Sequence, residues 1–229
     1  MPKPYYETEL GKLYHGDCLE IMPNLEPVDL VLTDPPYNIN LMPQRKKTES
    51  ILNDNMTEKE FKVFLHKTFL RVSKILKNDS FLIVFCGWPT IPEFMEVTKE
   101  YFTIKSMPIW VKNNWGIGYY TRPQYEPSLL LLNGKPKPLT RPISDVWDFK
   151  RNHKPIHSCE KPIYLFSYII ESFGNKTQTV LDPFLGSGTT VVACERLNRR
   201  WIGIEIEEKY CEIAAKRIEK ERSQLKLFT

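Results

Sequence analysis

Apolar runs recur along the chain at Leu13–Gly16, Val28–Thr33, Phe81–Cys86, Ile104–Val111, Ser128–Leu132, Thr179–Leu181 and Trp201–Ile204. Several lack polar alternation, the pattern of strands covered on both faces. Between them the period changes. Phe61, Phe64, Leu65, Thr68, Phe69, Val72 and Leu76 recur at helical spacing within residues 57–77, and Thr57-Glu58-Lys59-Glu60 ahead of them is a capping box. Further helices are predicted over Thr189–Leu197 and Glu208–Gln224. Strands alternating with helices predict an α/β fold with a doubly wound, mostly parallel sheet.

Two stretches fit neither period. Residues 38–55 are polar and hold Arg45, Lys46 and Lys47, and residues 134–157 are too rich in proline for a long helix. Loops of this length are usually functional. With 229 residues and 41% hydrophobic content, the chain predicts a single domain over 1–229, with a small insertion around 134–157 and a mobile loop at 38–55. No apolar run approaches membrane-spanning length, and Met-Pro-Lys-Pro-Tyr-Tyr has no signal-peptide layout, so a soluble cytoplasmic protein is expected. Five cysteines, at 18, 86, 159, 194 and 211, contain no Cys-x-x-Cys pair; reduced thiols are expected, with no metal site. The formal charge of +4 permits a polyanionic partner without demanding one.

The run Val28–Thr33 ends in Asp34-Pro35-Pro36-Tyr37. Neither proline donates a backbone hydrogen bond, so the strand must stop there. A plain surface turn is the simple reading. The other is a rigid turn that fixes an acid and a ring at a strand's carboxyl end, where α/β folds place their ligands. Near the other terminus, Val180-Leu181-Asp182-Pro183-Phe184-Leu185-Gly186-Ser187-Gly188-Thr189-Thr190 leads a strand through a glycine loop into a helix. Glycine lets backbone approach a ligand, and no Lys follows the last glycine as a phosphate loop would require. The next strand ends on Glu205, an acid able to bind ribose hydroxyls or, on the simple reading, a solvated start to a helix. Loop and acid together indicate an adenosine-containing cofactor.

In this order the motifs resemble those of the permuted, beta-class amino-group DNA methyltransferases that use S-adenosyl-L-methionine. The resemblance runs through Gly16-Asp17-Cys18-Leu19-Glu20, Val28 to Asn38, His157 with Glu160-Lys161-Pro162, Asp182 to Thr190 and Ile202 to Glu205. It implies a Rossmann-like methyltransferase fold in circularly permuted motif order. Asp182, Phe184, Gly186 and Gly188 would shape the loop under the methionine part of the cofactor, with Thr189 and Thr190 capping the helix. Glu205 would take the ribose, Asp17 and the Cys18 backbone the adenine ring, and Lys161 would stand near the methionine carboxylate. Two departures stand out: Ser158-Cys159 where the family often has Pro-Thr, which leaves His157 open as a structural loop histidine, and a short recognition region with no further domain after the last helix.

The implied substrate is a base flipped out of double-stranded DNA. The Asp34 carboxylate and the Pro35 carbonyl would each accept one N–H of its exocyclic amine and aim the lone pair at the methyl group. Pro36 would stiffen the turn, and Tyr37 would stack on the base. Asp in first position favours adenine-N6, since the cytosine-N4 enzymes of the family more often have Ser there. The competing readings are cytosine-N4 transfer and a catalytically silent DNA-binding module, against which the intact Asp34 and glycine loop argue. Residues 134–157 carry six basic residues (Lys135, Lys137, Arg141, Lys150, Arg151, Lys154) against Asp145 and Asp148, with Trp147 and Phe149 interleaved. This segment and Arg45, Lys46 and Lys47 are the candidate DNA contacts, a solvated linker being the simpler account. A restriction endonuclease partner and a homodimer are further expectations of the resemblance.

Overall fold

The computed structural model describes residues 2–39, 54–116, 119–139, 141–151, 160–175 and 177–225. In chain order its elements are β1 (Tyr6–Glu7), β2 (Gly11–His15), α1 (Cys18–Ile21), β3 (Val28–Thr33), α2 (Glu58–Ile75), β4 (Leu76–Phe85), α3 (Ile91–Thr98), β5 (Thr103–Ser106), β6 (Ile109–Val111), β7 (Tyr125–Asn133), β8 (Val146–Asp148), α4 (Ile163–Phe173), β9 (Thr179–Asp182), α5 (Thr189–Arg196), β10 (Arg200–Glu205) and α6 (Glu208–Leu225). The strand order is β1-β2-β10-β9-β3-β4-β7-β6-β8, with β5 also on β7. The centre, β2-β10-β9-β3-β4, is parallel throughout. Antiparallel pairing enters where β1 meets β2 and where β7 meets β4, β5 and β6.

Successive residues of the central strands serve opposite cores. Leu30, Leu32, Ile83, Phe85 and Val180 pack with α4, α5 and α6 on one face. Val31, Leu82, Val84 and Leu181 pack with α1, α2 and α3 on the other. The two-period alternation of side chains thus makes successive central positions of these strands apolar, which is why Leu30–Leu32, Phe81–Phe85 and Val180–Leu181 read as continuous runs. The capping box holds: Thr57 Oγ1 accepts from Glu60 N at 3.3 Å and Glu60 Oε2 accepts from Thr57 N at 2.9 Å.

Two expectations change. The single strand over Ile104–Val111 is two, β5 and β6, divided at Met107–Pro108, because Pro108 has no N–H to give; its carbonyl accepts from Ser128 N at 2.8 Å instead. Helices α3 and α4 were not anticipated, although in α4 the buried Leu165, Phe166, Ile169, Ile170 and Phe173 recur at helical spacing opposite the exposed Tyr164 and Glu171. Of the expected insertion at 134–157, the described residues 134–139 and 141–151 leave β7 and return as β8, which pairs with β6. Most of the loop at 38–55 lies outside the described residues, but its ends are joined. Asn38 Nδ2 donates to Met56 O at 3.0 Å and Met56 N donates to Asn38 Oδ1 at 2.6 Å. Cys18, Cys86, Cys194 and Cys211 are buried free thiols, and Cys159 lies outside the described residues.

Candidate active site

The chain leaves β3 toward β4 and leaves β9 toward β10, so the neighbouring strands β3 and β9 flank a point where the winding reverses. Open α/β sheets offer a crevice at such a point, beyond the strands' carboxyl ends. Both sequence motifs open onto it: Asp34 follows β3 and the glycine loop follows β9. They are joined directly, because Thr33 Oγ1 donates to Asp182 Oδ1 at 2.8 Å.

Asp182 is buried and accepts three hydrogen bonds. Besides Thr33 it accepts from Phe184 N at 3.1 Å and from the Thr190 hydroxyl. Burial pushes its carboxyl up to about 7, against those three donors. Asp182 therefore fastens the loop to β3 and α5 from below. The threonines do not cap α5 as expected: Gly188 occupies the cap position, Thr190 bonds Asp182, and Thr189 Oγ1 donates to Lys161 O at 3.4 Å. The two glycines also differ. A Cβ on Gly188, at φ +91°, would lie 2.8 Å from Ala214 Cβ, so its bareness lets the loop pack on α6. A Cβ on Gly186, at φ +54°, would meet nothing within 4 Å. Gly186 faces open space.

Glu205 borders the same loop. Its Oε2 accepts from Gly186 N at 2.7 Å and its Oε1 from Glu207 N at 2.8 Å, and burial raises its carboxyl above the ordinary range. Two backbone bonds leave lone pairs for further donors such as ribose hydroxyls. Across the β2–β10 pair, Gly16 N donates to Glu205 O at 2.9 Å, which brings Asp17 and Cys18 alongside. Asp17 caps α1 by accepting from Leu19 N at 2.8 Å, and Cys18 is buried, its thiol pushed up to about 12. Phe184 packs edge-on against Phe64 at 5.7 Å. The open face over Gly186, the buried acid at Glu205 and the backbone at Asp17 and Cys18 suit an adenosine carrying an amino-acid tail.

On the β3 side, Asp34 is the hub of a charge cluster in which Lys161 is buried and Asp34, Glu126 and Lys112 are half-buried. The Tyr37 hydroxyl donates to Asp34 Oδ1, and the Lys161 ammonium bonds Asp34 Oδ2. Lys161, only 5% exposed, also lies 3.2 Å from Tyr37 Oη and 3.1 Å from Glu126 Oε2. Glu126 in turn pairs with Lys112. Lys112, Glu126, Lys161 and Asp34 together are neutral. Burial raises the Asp34 carboxyl, and Lys161 opposes that. For Glu126 burial also raises, but Lys161 and Lys112 overcome it and hold the carboxyl at about 2. Tyr37 and Lys161 take one site on each Asp34 oxygen; a carboxylate has about four, so one per oxygen remains for a substrate N–H. The ring of Tyr37 is half-buried with Lys161 5.5 Å from its centre, and its backbone is pinned by Thr90 Oγ1 donating to Tyr37 O at 3.0 Å.

Three residues here escaped the sequence reading. Thr33 looked like the end of a strand. Glu126 is an acid flanked by Tyr125 and Pro127 at the start of an apolar run, and its burial had no local sign. Arg217 does carry a signal: with Ala214, Ile218 and Glu221 it shares the stripe of α6 that packs inward. Its Nη1 donates to Ser187 O at 2.7 Å and its Nη2 to Glu160 Oε1 at 2.8 Å, clamping the glycine loop to the segment that carries Lys161.

The expected DNA contacts are dispersed. Arg45, Lys46, Lys47, Lys154 and His157 lie outside the described residues. Lys135 N bonds Asp79 Oδ1 at 2.7 Å, beyond the end of β7 remote from Asp34, whereas Arg151 N bonds Asn113 Oδ1 at 2.9 Å on the catalytic side. Arg141 and Lys150 are exposed. Trp147 and Phe149 do not offer rings to bases. Trp147 is 1% exposed and packs near Phe85, and Phe149 is half-buried against Tyr168 at 5.4 Å.

A family model described as "DNA methylase" (N6_N4_Mtase) matches residues 28–139 and 131–216. YubD of Escherichia coli (strain K12) is 31% identical over 88% of this chain and 87% of its own length. The type II methyltransferase M.HpaI of Haemophilus parainfluenzae is 27% identical over 92% of this chain and 74% of its own length. The crystal structure of an M1.HpyAVI-SAM complex superposes with a TM-score of 0.70 at 27% identity, covering 91% of this chain and 99% of that one.

Proposed function

Because the chain belongs to the N6/N4 family of DNA methylases, we propose that it transfers a methyl group from S-adenosylmethionine to the exocyclic N6 of an adenine flipped out of double-stranded DNA. The observation that carries this reading is the 2.8 Å Thr33–Asp182 bond, which sets the acid Asp34 and the open glycine loop on either side of one crevice. When bound, the cofactor supplies an electrophilic methyl carbon. The residues of the chain do the rest. Gly186 would lie under the cofactor's methionine part and Glu205 would take the ribose, with Asp17 and the Cys18 backbone at the adenine ring. Asp34 and the Pro35 carbonyl accept the two amine N–H groups, draw the nitrogen toward tetrahedral geometry and direct its lone pair at the methyl carbon. The charge that develops on the amine meets the Asp34 carboxylate, whose ionised form Lys161 favours against the effect of burial, while Glu126 shares that cation so that it does not cancel Asp34 outright.

Adenine rather than cytosine rests on Asp in the first position of the Asp-Pro-Pro-Tyr turn. A restriction endonuclease companion is supported by the type II name of M.HpaI; a homodimer rests on resemblance alone, and a cytoplasmic location on DNA as the substrate. The test is transfer of labelled methyl from cofactor to unmethylated DNA, followed by nucleoside analysis. N6-methyladenine is expected. N4-methylcytosine would change the base, and unlabelled DNA would overturn the reading.

A further inference from the structure

The aromatic and basic groups absent from the surface of Trp147 and Phe149 are found elsewhere. Between β6 and β7 the described residues 112–116 and 119–124 pair as the two arms of a hairpin: Lys112 N donates to Gln124 O at 2.8 Å and Gly116 N to Pro123 O at 2.7 Å. Trp115 is 60% exposed, Tyr119 and Tyr120 are fully exposed, and Tyr125 is 46% exposed. The Arg122 guanidinium lies 5.5 Å over the Trp115 ring and its Nε donates to Gly116 O at 2.8 Å.

Register fixes where the hairpin points. Ser128 pairs with Phe85, the last residue of β4, and Asn133 pairs with Ser80. Tyr125 therefore lies beyond the carboxyl ends of the parallel strands, on the side of Asp34, and Asn133 lies at the opposite edge, about 26 Å away along β7. The root of the hairpin is bolted to the catalytic acid, since Lys112 and Glu126 form the chain of charges that ends at Lys161 and Asp34. Arg151 joins it through Asn113, with Lys150 beside it. Trp88, 63% exposed, follows β4 on the same side, next to the Gly87 that packs on Tyr37. Cations and free rings are thus gathered around the mouth of the target site, while Lys135 and Lys137 sit at the other pole.

We infer that the paired arms 112–116 and 119–124 form the element that enters the DNA beside the target base, the exposed Tyr119 and Tyr120 stacking in the duplex where the flipped base has left its place, with Arg122 and Lys150 against the phosphates. This rests on the DNA-methylation reading. Stacking on an aromatic side chain is worth about 1–3 kcal/mol per base, roughly 5- to 150-fold in affinity.

The experiment uses a short duplex bearing the site that the wild-type protein methylates on plasmid DNA, with 2-aminopurine in place of the target base. Absence of any methylated site would sink the DNA reading itself before the hairpin is reached. Given a site, the double variant Tyr119→Ala/Tyr120→Ala should bind the duplex at least about 5-fold more weakly. It should also lose most of the 2-aminopurine fluorescence rise while titrating cofactor as the wild type does. Lys135→Ala/Lys137→Ala should match the wild type in all three. Unchanged duplex affinity and fluorescence in the tyrosine variant would overturn the assignment. So would an equal loss in the lysine variant, and so would a tyrosine variant that has lost cofactor binding in parallel, since the change would then be one of folding.

Discussion

Asp34 illustrates how much a single carboxylate is asked to do: it accepts from Tyr37 and Lys161 and must still have a lone pair for one amine N–H, the other going to the Pro35 carbonyl. Asp34→Ala should abolish methyl transfer with cofactor affinity nearly intact, since Asp34 lies on the base side of the crevice; calorimetric titration and a transfer assay on the same preparation check this. Asp34→Asn should be similarly impaired, because its amide presents a donor to the amine and carries no charge. Tyr37→Phe keeps the ring but removes the hydroxyl bond to Asp34, so it should fall between wild type and Tyr37→Ala in transfer rate; equal rates for the two variants would remove the ring from base stacking. The glycines separate two functions. Gly186→Ala places a methyl group in open space, so its cost to stability should be limited to the left-handed backbone, about 1–2 kcal/mol, and its main effect should be weaker cofactor binding. Gly188→Ala bears that same backbone cost and also drives a methyl group into Ala214, for a further cost of about 1–3 kcal/mol. Denaturant unfolding beside cofactor titration distinguishes them.

At the level of elements, the glycine loop is held by neighbours rather than by its own sequence: Asp182 secures it from β9, Thr33 from β3 and Arg217 from α6. Arg217→Ala removes the clamp on Ser187 and takes from the buried Glu160 this partner. Breaking a buried pair costs on the order of 3–5 kcal/mol, so a large fall in melting temperature is expected. Because the clamp shapes a binding loop, added cofactor should raise the melting temperature of the variant less than that of the wild type. An equal rise would make Arg217 a purely structural residue. The same dependence on neighbours explains what was legible at this scale. Strands β3, β4, β9 and β10 and the capped helix α2 declare themselves locally, through apolar runs and a capping box. Helix α4 carries the same kind of signal, with Leu165, Phe166, Ile169, Ile170 and Phe173 at helical spacing, but it lacks a capping residue that would mark its start, and the break between β5 and β6 turns on one proline inside an apolar run.

For the molecule as a whole, the charge cluster links catalysis to stability through pH. Glu126, held at about 2 in the fold, has an ordinary value near 4.5 when unfolded. Between those values the unfolded chain binds more protons, so the stability that Glu126 contributes is complete above pH 4.5 and is lost as pH falls toward 2. Asp182, raised to about 7 by burial, works in the opposite direction between about pH 4 and 7. The stability difference between wild type and Glu126→Gln isolates the first effect, because Asp182 is common to both. That difference should be flat above pH 4.5 and shrink by on the order of 2–3 kcal/mol below it. A difference independent of pH would show that the lysines do not hold Glu126 ionised.

The sequence by itself determined the α/β class, the parallel core, the strand-ending turn at Asp34 to Tyr37 and the glycine loop with Glu205, because each follows from local constraints: apolar continuity, proline's missing donor, glycine's freedom. Only the tertiary structure decided which residues complete them. Asp34 and Lys161 are 127 positions apart, Thr33 and Asp182 149, and no periodicity spans such separations. The sheet register likewise decided what composition could not. The charge of residues 134–157 is a real property of the sequence, yet β7 runs antiparallel to β4 and so sends Lys135 to one pole while β8 delivers Lys150 and Arg151 to the other. A sum over neighbours in sequence cannot see that direction; a hydrogen-bonded ladder fixes it.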